Sequence, residues 1–350
     1  MRIGLVGYGK GGRFFHAPLI SSLPGATFVG VVTRSAERRQ QLAIDYPHVQ
    51  AFDSLEQLVA AGVDAVVVST PLDGRPEVVM QAIDLGVAVV SDKPFAWDAA
   101  QAEAMVMAAE QHNVPLSVYQ NRRWDSDFLT LRKLLASGAL GQVIRFESSV
   151  ERYSPTSVGK GSGGGFLRDL GSHLVDQALQ LFGPVARVYA ELDYRQPDQV
   201  FDNGFFLSLT HASGVISHLS GNCVQNAARP RFRANGTQGC YTVDGLDGQE
   251  AQALAGLSPA TEGERWGAEE HRRWGWFEHG TERERVTSER GCWLAFYQHL
   301  QTALQGAGPL PVEARDALAT TRILDAARQS AEQGEVVRLS TPVGHGIKNE

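Results

Sequence analysis

Cysteine is scarce, long apolar runs are missing and basic charge is in short supply. Cys223, Cys240 and Cys292 are the only cysteines in 350 residues, they are odd in number, and none belongs to a Cys-x-x-Cys pair. That excludes a disulfide framework and a thiolate zinc site, and it suits a reducing cytoplasm. No run of about 18 apolar residues occurs, so no membrane-spanning helix and no membrane partner are expected. The N-terminus enters an apolar strand directly, without a charged leader and cleavage site, which again predicts a cytoplasmic location. The 32 Lys and Arg face 39 Asp and Glu, leaving a net charge of −7 and no basic block to track a phosphate backbone. A nucleic-acid partner is therefore not expected. No internal repeat is present. What the chain does have is 43% apolar residues over a length that suits two domains of ordinary size.

The opening "RIGLVGYGKGGRFFHAPLISSL" reads as strand, tight turn and helix. Gly7, Gly9 and Gly12 fill the three glycine positions of G-x-G-x-x-G, where the chain turns sharply, admits a pyrophosphate and packs helix on strand. The phosphate then meets free N–H groups and the positive end of the helix dipole. Apolar runs "TFVGVVT", "AVVVSTP" and "VAVVSDKP" follow, with helix-compatible segments 35–45, 54–61, 75–85 and 98–112 between them. Continuous hydrophobicity marks strands buried on both faces of a parallel sheet, whose ligands bind beyond the strands' carboxyl ends. Thr70-Pro71 and Asp92-Lys93-Pro94 end two such strands and are expected beside the cofactor.

An NAD-selective site places an Asp or Glu at the end of the second strand, and "VVTRSAERR" has none. Thr33, Arg34 and Ser35, with Arg38, can instead hold a 2'-phosphate through hydroxyl and guanidinium donors. The cofactor expected is NADP, with NAD the alternative.

The texture changes near residue 121. A helical stretch, "DFLTLRKLLASGAL", precedes "QVIRFESSVERY", "VARVYAELDYR", "NGFFLSLTHA", "GVISHLSGNCV", "RFRANGT" and "GCYTVDG", all of which alternate apolar and polar residues. These are half-exposed strands of a mostly antiparallel open sheet, with helices on one face. The other face is left for a second copy, predicting a homodimer or homotetramer. Ser213-Gly214 supplies a hairpin turn. Residues 258–290 show no clear period and are expected as a surface excursion or flap, and helices near 292–306 and 312–332 close the fold. The fold class expected is α/β, with a Rossmann domain over 1–121 and an α+β domain over 122–350.

Taken together, "GYGKGGRFFHAPL", "SDKPF", "LSVYQNRRWDSDFLTLRKLL", "GGGFLRDLGSHLVDQALQLFG" and "DGQE" resemble the glucose-fructose oxidoreductase / inositol dehydrogenase / MocA (Gfo/Idh/MocA) family across nearly the whole chain. The nearest pattern is that of its NADP-dependent scyllo-inositol dehydrogenase branch. The resemblance implies hydride transfer between a nicotinamide cofactor and a cyclic polyol or sugar-like secondary alcohol or ketone. It places Lys93 between substrate and nicotinamide, and Asp169 and His173 facing the substrate. The chain departs from the family pattern at three places. Asp92 stands for the usual Glu, Leu72 and Arg75 stand where Asn and then His are common, and the segment from Tyr153 to Phe166 is shorter than in the inositol branch and lacks its Trp-Arg element.

Oxidising a secondary alcohol requires a base for the hydroxyl proton. His173 suits that role, since an unperturbed imidazole titrates at about 6.5, and a place in the first turn of a helix keeps the ring neutral. Lys93 donates to the substrate oxygen, and Asp169 binds a substrate hydroxyl or orients the histidine. Tyr119, Asn121 and Arg123 are candidate substrate-cleft residues, whereas Trp124 reads as core. Each role has a plainer rival: a surface lysine at Lys93, a helix cap at Asp169, a satisfied helix histidine at His173. Asp169, His173 and Asp176 also share one helical face as possible metal ligands, but no motif joins further ligands to them, and no metal is expected. Asp176 is read as structural. A dinucleotide-dependent regulator without turnover is the remaining alternative.

Overall fold

The computed structural model describes residues 1–154, 164–195 and 200–344, so residues 155–163 of the shortened segment lie outside the described residues. The chain divides into two compact units. The first comprises Met1–Asn121, Gln249–Trp266 and Cys292–Leu318, and the second comprises Arg122–Gly248, Gly267–Gly291 and the chain from Ala319 onward. Gln249–Trp266 and Cys292–Leu318 thus go with the first unit.

Six parallel strands form the first unit's sheet: β1 (Arg2–Val6), β2 (Thr27–Val32), β3 (Gln50–Phe52), β4 (Ala65–Val68), β5 (Ala88–Ser91) and β6 (Leu116–Val118), in the order β3-β2-β1-β4-β5-β6. Its central strands are fully buried because every residue of "AVVV" in β4 meets helix on one face or the other. The order reverses beside β1, and the crevice at that switch point is where such sheets bind ligands. Helices begin where the sequence supplies caps. Ser35, Ser54 and Asp98 each accept from the backbone N–H three residues on, starting Ala36–Asp45, Leu55–Ala60 and Ala99–His112. The segment from Cys292 joins this unit through aromatics: Tyr119 packs edge-on against Phe296, with ring centroids 4.9 Å apart, and Ser117 Oγ donates to the Val312 carbonyl.

The second unit carries β7 (Val143–Glu151), β8 (Val185–Asp193), β9 (Gly204–His211), β10 (Ile216–Asn222), β11 (Phe232–Gly236), β12 (Cys240–Val243), β13 (Trp276–His279), β14 (Glu282–Arg285) and β15 (Val337–Val343). The order is β14-β13-β12-β11-β7-β10-β9-β8-β15, antiparallel except where β7 meets β10. Gly214, at φ 89°, makes the expected hairpin between β9 and β10. Phe146, Val188, Leu207, Leu209 and Leu219 point into a core closed by the helices Ser172–Phe182 and Ala314–Gln333. On the opposite face Arg187, Ser208, Thr210, Ile216 and His218 are exposed or half-buried.

Residues 258–290 follow the first of the two expectations, an ordered excursion, and not the flap. They form a short helix, Pro259–Glu262, and the edge hairpin β13–β14. "ERER" hides its strand character because both faces carry charge, while Arg283 and Arg285 lie over the Trp276 ring at 4.2 and 3.9 Å. Charged residues suit an edge that must not pair further.

Candidate active site

In the first unit the glycine turn has the shape a pyrophosphate needs. Gly7 adopts φ +98°, and a methyl group on it would lie 2.5 Å from the Ser69 carbonyl oxygen. One on Gly12 would lie 2.1 Å from the Gly7 oxygen, so both positions require glycine. A methyl on Gly9 would meet nothing within 4 Å, which leaves room above the turn. Beside it, Thr70 Oγ1 is buried without a hydrogen-bond partner, a polar atom awaiting a ligand. The residues present therefore fit a dinucleotide.

At the end of β2, Thr33 is buried, while Arg34 and Ser35 are exposed. Ser35 Oγ accepts from Arg38 N, and Arg38 Nη1 donates to Gln41 Oε1 at 2.6 Å. Arg39 was not anticipated. It braces the turn by donating to the Thr33 and Phe52 carbonyls and pairing with Asp53.

The strand-end loops converge on Asp92. Its Oδ2 accepts from Ser69 Oγ at 2.8 Å, its Oδ1 accepts from Lys93 N at 2.9 Å, and His16 Nε2 faces Oδ2 at 3.5 Å. Burial by itself would raise this carboxyl, but the His16 ring, Arg75 and Lys93 outweigh it and hold Asp92 well below the usual carboxylate range. His16 is fully buried and its Nδ1 lies 2.6 Å from Tyr297 Oη, a pairing across 281 residues that no local pattern reveals. The glycine turn abuts this loop: a methyl on Gly11 would come within 2.6 Å of Ser69 Oγ and 3.0 Å of Asp92 Oδ2. Lys93 is half-buried at the same loop, and Pro71 is exposed. Leu72 is buried, and Arg75 is turned inward onto backbone carbonyls.

In the second unit, Asp169 sits half-buried in a wide helical turn, Leu167–Gly171, that runs on into Ser172–Phe182. His173 is buried in the first turn of that helix. A carboxylate does sit at the N-terminal end of this segment, and it belongs to Asp202: its Oδ2 accepts from Leu167 N at 2.7 Å. Burial drives the Asp202 carboxyl up to about 6, against the pull of that N–H and of Arg328. Asp176 and Gln177 anchor the helix. Asp176 accepts from Arg123 Nε and Nη2, while Gln177 Nε2 donates to the Arg122 carbonyl and its Oε1 accepts from Arg231 Nη2. Arg231 is buried beneath, 3.2 Å from Asp127. Both carboxylate oxygens of Asp176 are bound to the Arg123 guanidinium. Among the described residues no group of three or more His, Cys, Asp or Glu is placed to hold an ion.

Two of the three candidate substrate residues have intramolecular partners. Tyr119 is buried among His16, Phe296 and Tyr297 and donates its hydroxyl to the Phe15 carbonyl. Arg123 is buried against Asp176. Asn121 is buried, and Trp124 is core as expected.

Residues 1–120 match the model of an oxidoreductase family with an NAD-binding Rossmann fold, and residues 128–242 match the GFO/IDH/MocA C-terminal domain. The chain belongs to the Gfo/Idh/MocA oxidoreductase family. Among members of this family, scyllo-inositol 2-dehydrogenase (NADP(+)) IolW of Bacillus subtilis (strain 168) is 31% identical over 97% of this chain and 96% of its own length. The oxidoreductase YdgJ of Escherichia coli (strain K12) is 34% identical over 97% of this chain and 99% of its own. A crystal structure of the Bacillus subtilis oxidoreductase yvaA superposes with a TM-score of 0.91 at 31% identity, covering 97% of this chain and 98% of that one. The Gfo/Idh/MocA resemblance read from the motifs is therefore correct, and so is the α/β class with a parallel nucleotide-binding sheet followed by a mostly antiparallel one.

Proposed function

We propose that this Gfo/Idh/MocA oxidoreductase is an NADP-preferring dehydrogenase or reductase acting on a cyclic polyol or a sugar-like secondary alcohol or ketone. The observation that carries the reading is the packing of the Asp92-Lys93 loop directly against the glycine turn, which puts a lysine at the end of β5 beside the dinucleotide cradle. The missing acid after β2, with exposed Arg34 and Ser35 there, supports NADP over NAD. The name of the Bacillus relative, an NADP(+)-dependent scyllo-inositol 2-dehydrogenase, supports both the cofactor and the polyol class.

The bound nicotinamide supplies the hydride acceptor or donor. In this reading the chain's own residues manage the proton and the charge. His173 takes the hydroxyl proton during oxidation and returns it during reduction. Lys93 donates to the substrate oxygen as alkoxide character develops. Asp169 accepts from a substrate hydroxyl. Tyr119 and Arg123 act through packing and through the Asp176 tie, and Asn121 is the remaining polar candidate of the three. A Lys–Asp–His set favours turnover over a regulator that merely binds a dinucleotide. A homodimer or homotetramer built on the open sheet face, in the cytoplasm, completes the proposal, and light scattering of the purified protein reads the oligomer.

The test is titration of the apo protein with NADPH and NADH by nicotinamide fluorescence, then a screen of inosose, ketose and aldose panels for oxidation of the reduced cofactor. NADPH should bind more tightly and a cyclic ketone or ketose should turn over. NADH binding at least as tightly as NADPH overturns the cofactor assignment, and binding without turnover on every panel supports the regulator.

A further inference from the structure

The geometry points to Arg75 as the positioning residue of Lys93. Arg75 opens the helix Arg75–Asp84 and is only 5% exposed. Both facts count against a cation there, since burial disfavours the charge and the N-terminal end of a helix repels it. The burial is felt by the group itself, which is driven below the ordinary arginine range. A side chain held at two costs has to be making contacts that a neutral one could not.

Those contacts are backbone carbonyls, and they are specific. Nε and Nη2 both donate to the Thr70 carbonyl, at 3.1 and 2.7 Å, while Nη1 donates to the carbonyls of Asp92, at 2.9 Å, and of Pro94. One planar fork therefore ties the end of β4 to the end of β5 and grips the residues on either side of Lys93. With Lys93 N donating to Asp92 Oδ1, the peptide units around the lysine are fixed at several points. This matters for a flexible four-carbon side chain, because a small rotation at its root moves the ammonium by ångströms. Lysine at position 75 could not reproduce the grip, since an ammonium is a point donor and a guanidinium is a rigid fork. The donors of Arg75 go to the backbone carbonyls of Thr70, Asp92 and Pro94. Its effect on the reaction passes through Lys93, so the inference rests on the role proposed for that residue above.

The experiment is a double-mutant cycle on the full-length holoenzyme with Arg75→Met, Lys93→Ala and both together, plus Arg75→Lys as the variant that keeps charge and length. Circular dichroism and NADPH titration establish that each protein is folded and loaded. Arg75→Met should lower kcat by about 100-fold, the scale of an ångström-sized misplacement, with substrate KM and NADPH Kd within about threefold. Arg75→Lys should stay folded yet recover less than about a tenth of the wild-type kcat. In the Lys93→Ala background the same Arg75 change should alter kcat by less than about twofold, because its effect acts through a group already removed. Losses that multiply in the two backgrounds overturn the inference, as does wild-type kcat in the folded Arg75→Lys protein. Should Lys93→Ala itself retain wild-type kcat, the function proposed for Lys93 is what fails. A dead Lys93→Ala protein beside fully active Arg75 variants overturns only the positioning role.

Discussion

One guanidinium, that of Arg123, binds both carboxylate oxygens of Asp176, Nε to Oδ2 at 2.8 Å and Nη2 to Oδ1 at 2.6 Å. Both side chains are buried, with 8% and 2% of their surfaces exposed. The pair ties the start of the second unit to the helix that carries His173. Removing one member leaves an uncompensated buried charge, so Asp176→Asn is expected to cost about 3–5 kcal/mol of stability in denaturant unfolding. Replacing the pair together, Arg123→Met with Asp176→Leu, should cost far less. Equal losses in the single and double variants would show that the charges are not what the site requires.

The glycine turn separates folding from cofactor binding. Gly9→Ala adds a methyl that meets nothing in the protein, so the melting temperature should hold or rise slightly. NADPH affinity should nevertheless fall about tenfold or more, the ~1.4 kcal/mol of roughly one charge-assisted hydrogen bond. Gly12→Ala drives its methyl against the Gly7 oxygen and should lose stability and affinity together. A Gly9→Ala protein that binds NADPH like wild type would remove the pyrophosphate from that turn.

Cofactor choice should rest on the exposed turn after β2. Arg34→Ala is predicted to weaken NADPH by about 10- to 100-fold, the range of a lost charged hydrogen bond, and to leave NADH unchanged. Parallel weakening of both cofactors would assign Arg34 to general binding and not to the 2'-phosphate.

Two buried groups of the second unit give stability opposite dependences on pH. His211 is held neutral, its Nδ1 donating to the Gly183 carbonyl and its Nε2 accepting from Ser217 Oγ, and burial lowers it to about 4. Between pH 6.5 and 4 the unfolded chain binds a proton there that the folded chain does not, so stability falls as pH drops, by about 3 kcal/mol in all. Asp202 is raised from 3.8 to about 6, so in that window the folded chain binds the extra proton, and stability rises by a similar amount as pH drops. The two should largely cancel in the wild type. Thermal melts of Asp202→Asn should therefore fall steeply below pH 6, while those of His211→Gln should rise. Parallel slopes in the two variants would contradict these assignments.

Local chemistry made much of this legible in the sequence. The glycine turn and the apolar strands β2, β4 and β5 follow from patterns a few residues long. What stayed hidden depends on distant partners or on edges. The β13–β14 hairpin carries charge on both faces and so shows no period. β15 gains its strand character only by pairing with β8, about 150 residues earlier. The contacts of Tyr119 with the Phe15 carbonyl and of Arg123 with Asp176 join residues distant in sequence, which no local pattern shows. His16 and Arg75 went unassigned for the same reason, since Tyr297, Thr70, Asp92 and Pro94 reach them only in the folded chain.

The most direct test of the central claim follows the hydride itself. NADPH deuterated at the transferable C4 position, incubated with the protein and the inosose, ketose and aldose panels, should deliver one deuterium to one carbon of a reduced product, as read by mass spectrometry. Lys93→Ala and His173→Ala, folded and loaded, should deliver little or none. A protein that binds NADPH tightly yet labels no carbonyl compound, or variants that label as fast as wild type, would contradict the account.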